Sequence, residues 1–154
     1  MILKELVDLM DVAVVSMPSD YMFMRVCELG NQIMKWHPLK TGKQYLLAKG
    51  VKEHVSIDMN GKDGALKIDL ASPITKWDCY FDMVTNYGTS EHVSNQYQVF
   101  DNIHRMTAVN GVMVHVVPII GGWATHCNFH YKTTFFMDLA EMAGYRTVLH
   151  ETRL

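Results

Sequence analysis

Acids and amides recur where short apolar runs stop. Glu28-Leu29-Gly30-Asn31-Gln32 closes one run, Asp58-Met59-Asn60 a second, Asp69-Leu70 a third, and Asn86-Tyr87-Gly88-Thr89-Ser90-Glu91-His92 a fourth. If the runs are parallel strands, these residues line the carboxyl edge of an α/β sheet, where such sheets bind ligands. A nucleoside suits them. A carboxylate accepts both ribose hydroxyls, an acid or amide reads the adenine edge, and a glycine lets backbone approach the ligand. Glu91 and His92 add acid–base capacity beside the fourth run, because an imidazole titrates near neutrality. The plainer reading makes Glu28 and Asp58 caps of strand ends or helix dipoles, and Glu91-His92 the first turn of a helix with a solvated His.

The chain holds eight His and twelve Met. Met is mostly a core filler. His126 and His130 are four apart with Cys127 between them, a spacing that on a helix puts two metal ligands on one face. Gly121-Gly122 and Asn128 argue for a loop instead, and no HExxH is present, so no metal is expected. The same loop carries Trp123, Phe129 and Tyr131, suited to walling a small-molecule pocket. His115, inside an apolar run, reads as a core residue. His37, His54 and His150 read as surface or edge residues.

These residues need elements to position them. Leu3, Leu6, Val7, Met10, Ala13 and Val14 recur at three- and four-residue spacing, one apolar helix face that ends near Ser16 and Pro18. Strands are expected at residues 24–29, within 51–59, at 65–70, at 81–86, at 112–117 and at 145–151. A short helix spans 41–49 and is closed by Gly50. A longer one spans 91–108, with Thr89 or Ser90 as N-cap and Asn110-Gly111 after it. A last helix starts at Thr133 or Thr134, has Phe135, Phe136, Leu139, Ala140 and Ala143 on one face, and stops at Gly144. The connection between the second and third strands is too short for a helix. Strands alternating with helices or loops predict an α/β fold with a mostly parallel sheet, and strand 24–29 is expected beside strand 81–86.

Composition narrows the function. The chain has 154 residues, enough for one domain, and no linker or repeat divides it. Fourteen Lys+Arg against sixteen Asp+Glu give a net charge of −2, which disfavours nucleic acid as a partner. No apolar run approaches the ~20 residues of a membrane span. The charged N-terminal segment does not read as a secretory signal. Three cysteines without a CxxC disfavour a disulfide framework and point to a cytoplasmic protein. A homodimer is left open.

The order Cys27-Glu28-Leu29-Gly30, Ser56-Ile57-Asp58, Ile68-Asp69-Leu70 and Phe81-Asp82-Met83-Val84-Thr85-Asn86-Tyr87-Gly88-Thr89-Ser90-Glu91-His92 resembles the class I S-adenosylmethionine-dependent methyltransferases. Asn110-Gly111-Val112-Met113-Val114-His115 is similar to the turn and strand that follow their fourth motif. The resemblance covers roughly residues 22–150, and Gly88-Thr89-Ser90-Glu91-His92 is its most distinctive part. It implies a Rossmann-like three-layer sandwich, from which this chain is expected to depart by truncation at the C-terminal strand, where the family commonly adds a seventh, antiparallel one. It also implies S-adenosyl-L-methionine as cofactor and methyl transfer to a small-molecule or sugar-like acceptor. Glu28 and Gly30 fall on the motif that cradles the methionine part of the cofactor. Asp58 falls on the ribose acid, Met59 on the adenine face and Asp69 on the adenine-side acid. Asn86, Tyr87 and Gly88 fall beside the transferred methyl group. His92 is the expected base and Glu91 an orienting group, with His126, His130 and Trp123 on the acceptor side. Two departures stand out. The family's first motif usually carries further glycines, where this chain has Asn31-Gln32-Ile33-Met34. Asp58 also lies thirty positions after Glu28, against ~20 in the usual dinucleotide pattern. Those departures keep a second reading, a non-catalytic nucleoside-binding or structural module with the same fold. A metal-dependent hydrolase using His92, His126 and His130 is a third.

Overall fold

The computed structural model describes residues 2, 4–122 and 125–152. Leu3 and Trp123 therefore lie outside the described residues. Helix α1 (Lys4–Val15) is followed by strand β1 (Arg25–Leu29), helix α2 (Gly42–Ala48) and strand β2 (Glu53–Ile57). Strand β3 (Phe81–Tyr87), helix α3 (Gln96–Met106), strand β4 (Thr107–Val116) and helix α4 (Phe135–Ala143) complete the chain. The four strands form one parallel sheet in the order β2-β1-β3-β4. The expected neighbours β1 and β3 pair directly, with Val26 opposite Met83 and Leu29 opposite Asn86.

The layers follow from which side chains each strand sends to each face. On one face Val26, Met83, Tyr87 and Val114 meet Val7, Met10, Ala13 and Val14 of α1 and Tyr45 and Leu46 of α2. On the other Cys27, Leu29, Ile57 and Val84 meet Val99, Ile103 and Met106 of α3, with Leu70, Ile74 and Trp77 from the segment between β2 and β3. Helices thus cover both faces, as in a Rossmann-like sandwich. Each fully buried aliphatic side chain contributes roughly 1.5–3 kcal/mol. Strands β1 and β3, covered on both faces, are the two inner strands of the sheet.

Several expectations are corrected. Residues 65–70 are not a strand. Leu66 alone bridges Ile57, and Ile68 N turns back to Leu66 O, so Lys67 and Asp69 stay in solvent and the ladder stops after one rung. Residues 145–151 are not a strand either; their apolar alternation finds no neighbouring strand to bond. The long helix begins at Gln96 rather than near Glu91, because Asn95, not Thr89 or Ser90, accepts the N–H of Gln98 as N-cap. Strand β4 starts at Thr107, five residues early, and Asn110-Gly111 lies within it. There the register jumps from Phe81–Thr107 to Met83–Val112. Asn110 has φ +63 in this bulge, and a Cβ on Gly111 would lie 2.8 Å from Ala108 O, so only glycine fits.

Candidate functional site

The direction of winding reverses between β1 and β3: the chain leaves β1 for β2 on one side and β3 for β4 on the other. In α/β sheets a crevice at the carboxyl ends of the strands at such a switch point is where ligands bind. Gly30, with φ +83, and Gly88, with φ +68, stand at the two strand tips. Gln32, buried, fills the space between the tips, its Nε2 donating to Leu29 O at 3.0 Å and Tyr87 O at 2.8 Å. Thr89 Oγ1 donates to Leu29 O at 2.9 Å. A Cβ on Gly30 would fall 2.6 Å from both Gln32 Nε2 and Thr89 Oγ1. Gln32 Oε1 is buried and has no hydrogen-bond partner, although an amide carbonyl normally accepts at least one bond.

The sequence-selected acids fall at different distances from this crevice. Asp58 ends β2, where Oδ2 accepts Asn31 N at 2.7 Å and Oδ1 accepts Asn60 N at 2.8 Å. It therefore ties the tip of β2 to the turn after β1. Met59 beside it is 64% exposed. Asp69 accepts Ala71 N at 2.9 Å in a turn. Glu28 is buried on the α2 face, where Oε2 lies 3.6 Å from His54 Nε2. Burial pushes its carboxyl up, against the opposing pull of His54. His54 lies on an edge strand, as expected, but its side chain is only 1% exposed because the inner face of β2 is covered. Tyr87 points to α1 and donates to Leu6 O at 3.1 Å.

A second group gathers at the carboxyl end of β3. Ser90–His92 form a 3₁₀ turn that buries Ser90 and Glu91. Helix α3 begins four residues after His92, so no helix dipole acts on that imidazole as expected for a first-turn residue. The segment after β4 returns here through the Ile119–Tyr131 bridge, and Asn128 N and Phe129 N both donate to Glu91 O. That return places the rings of His92 and His126 5.2 Å apart. Ligand atoms of Glu91, His92 and His126 all lie within 4.8 Å of one another. Burial raises the Glu91 carboxyl, and His92 and His126 pull it back down. His130 does not join the group; its Nε2 lies 3.7 Å from Cys127 Sγ.

Behind the cluster runs a hydrogen-bonded chain that sequence reasoning missed. Asn86 Oδ1 accepts Ser90 N, and Asn86 Nδ2 donates to Ser90 Oγ at 2.8 Å and faces His115 Nδ1 at 3.3 Å. Ser90 Oγ meets Tyr131 OH at 2.9 Å, and Tyr131 donates to Gln96 Oε1 at 2.7 Å. Gln96 Nε2 closes the loop on Ser90 O and Val93 O. His115, stacked on Phe136 at 4.6 Å, is pushed down to about 4 by burial. It is neutral near pH 7, with Nδ1 as acceptor. The polar spacing of Ser90 and Gln96 was the available signal, but a helix assumed to start at Glu91 hid it. A broad, mainly apolar groove along β4 and α4 reaches Gly88, Glu91, His126 and Tyr131 at one end.

Comparison of the chain with protein families, with curated proteins and with solved structures gives no match. Among the described residues no helix is long and apolar enough to cross a membrane.

Proposed function

We propose that the chain binds S-adenosyl-L-methionine at the crevice between β1 and β3 and transfers its methyl group to a small-molecule or sugar-like acceptor. One observation carries this reading. The residues that resemble methyltransferase motifs, Gly30 and Asn86 to Gly88, stand at the tips of the two strands that flank the switch point. The fit is supported by Gln32 Oε1, a buried acceptor without a donor in that crevice; the cofactor's ammonium group would supply one. Asp58, at the tip of β2, would hold the ribose hydroxyls and Met59 the adenine face, with Asp69 beyond it. Asn86 and Gly88 would flank the reacting methyl group.

The cofactor supplies an electrophilic methyl on sulfur, and the protein aligns the acceptor and excludes water. His92, at the mouth and 45% exposed, would take the acceptor's proton as the acceptor–methyl bond forms and the methyl–sulfur bond breaks, the sulfur leaving as a neutral thioether. Glu91 would orient His92, its Oε1 lying 3.8 Å from Nε2. The groove that reaches Glu91, His126 and Tyr131 would admit the acceptor. The alternative, a non-catalytic module, is favoured by Gln32 and Thr89 filling the space beside Gly30.

Titration calorimetry of the full chain with S-adenosylmethionine, with adenosine as control, tests the proposal. One-to-one binding below about 100 μM, near −5.5 kcal/mol, supports it. Absence of heat at millimolar cofactor rejects it.

A further inference from the structure

We propose that Glu91, His92 and His126 bind a divalent transition-metal ion of the zinc class at the mouth of the crevice. Their ligand atoms converge within 4.8 Å. Zinc takes imidazole nitrogen and carboxylate oxygen at about 2.0–2.2 Å, so the widest pair must close by roughly 1 Å. The two histidines are exposed at the mouth, while Glu91 is 1% exposed. Glu91 Oε2 is buried and has no hydrogen-bond partner. An unpaired buried carboxylate oxygen is costly, and a cation would satisfy it.

The donor set decides the class of ion. Two imidazoles and one carboxylate suit zinc, cobalt or nickel, whereas magnesium and calcium prefer oxygen alone. Three protein ligands leave a fourth position open, the pattern of a site that engages water or substrate rather than a closed structural one. The backbone holds the ligands in place: Glu91 O receives Asn128 N and Phe129 N, and Ser90 is locked by Asn86 and Tyr131. This inference does not rest on methyl transfer. An ion here would bind with or without cofactor, and a metal-bound His92 would act as a ligand rather than as a free base.

The test is a titration of tag-free full-length protein with Co2+, read by visible absorption, and with Zn2+, read by calorimetry, both without cofactor. The wild type should bind one equivalent of each, with the intense visible bands of low-coordinate cobalt. His92→Ala and His126→Ala, both at exposed positions, should each weaken binding by at least about tenfold while the circular dichroism spectrum is unchanged. Glu91→Gln should do the same, and His150→Ala should leave affinity unaltered. Wild-type protein that takes up no stoichiometric ion overturns the proposal. So does unchanged affinity in either histidine variant.

Discussion

Glu28 and Gly42 are in contact so close that a Cβ on the glycine would lie 2.0 Å from Glu28 Oε1. The absence of a side chain at the start of α2 is what lets a carboxylate sit beneath it, beside His54. Alanine normally improves a helix by about 1 kcal/mol over glycine. Here the overlap should reverse that sign. Gly42→Ala is expected to destabilise the fold by about 1–3 kcal/mol, the usual cost of overpacking. In a Glu28→Ala background the penalty should vanish, giving a coupling energy between the two sites. Urea denaturation midpoints measure both. A Gly42→Ala midpoint above the wild type would contradict the packing described.

Acid stability should depend on His115. Its pKa falls from 6.5 to about 4 on folding, because burial disfavours the charged ring. The unfolded chain therefore binds a proton that the folded chain refuses between those two values. Stability is complete above pH 6.5 and falls as the pH drops toward 4, by about 3 kcal/mol in all. His115→Phe keeps a ring against Phe136 and should remove most of that slope. Thermal melts of both proteins between pH 7 and 4 test this; parallel slopes would contradict it.

Asp58 should matter to cofactor binding more than to the fold. A hydrogen bond to a charged group is worth about 1.5–3 kcal/mol, so Asp58→Ala should weaken S-adenosylmethionine binding roughly ten- to a hundredfold. Asp58→Asn keeps an acceptor oxygen for only one of Asn31 N and Asn60 N; it should cost about 1 kcal/mol of stability and bind the cofactor more weakly. Equal affinity in wild type and Asp58→Asn would remove Asp58 from the ribose role.

The parallel sheet was legible because β1 and β3 are buried on both faces and appear as short, mostly apolar runs that end in polar residues. Residues 65–70 and 145–151 looked similar, but alternation reports a face and not a partner strand. The start of α3 was misplaced because Thr89, Ser90 and Glu91 have good capping chemistry, while Asn95 makes the bond. In the site, Glu91, His92 and His126 were all named from sequence. Their convergence was not legible, since it depends on Asn128 and Phe129 bonding back to Glu91 across more than thirty residues. His54 lies on the edge strand, as expected, but nothing local to β2 announces that its side chain is covered beside Glu28 of β1.

A nucleoside cofactor proposed to bind where β1 and β3 diverge should leave a footprint on the backbone around the strand tips. Hydrogen exchange read by mass spectrometry, with and without saturating S-adenosylmethionine, locates the ligand without knowledge of the acceptor. Amides in residues 28–32, 56–60 and 86–92 should gain protection together, while those in 107–111, at the opposite end of β4, stay unchanged. Protection confined to other segments, or none at millimolar cofactor, would contradict the account.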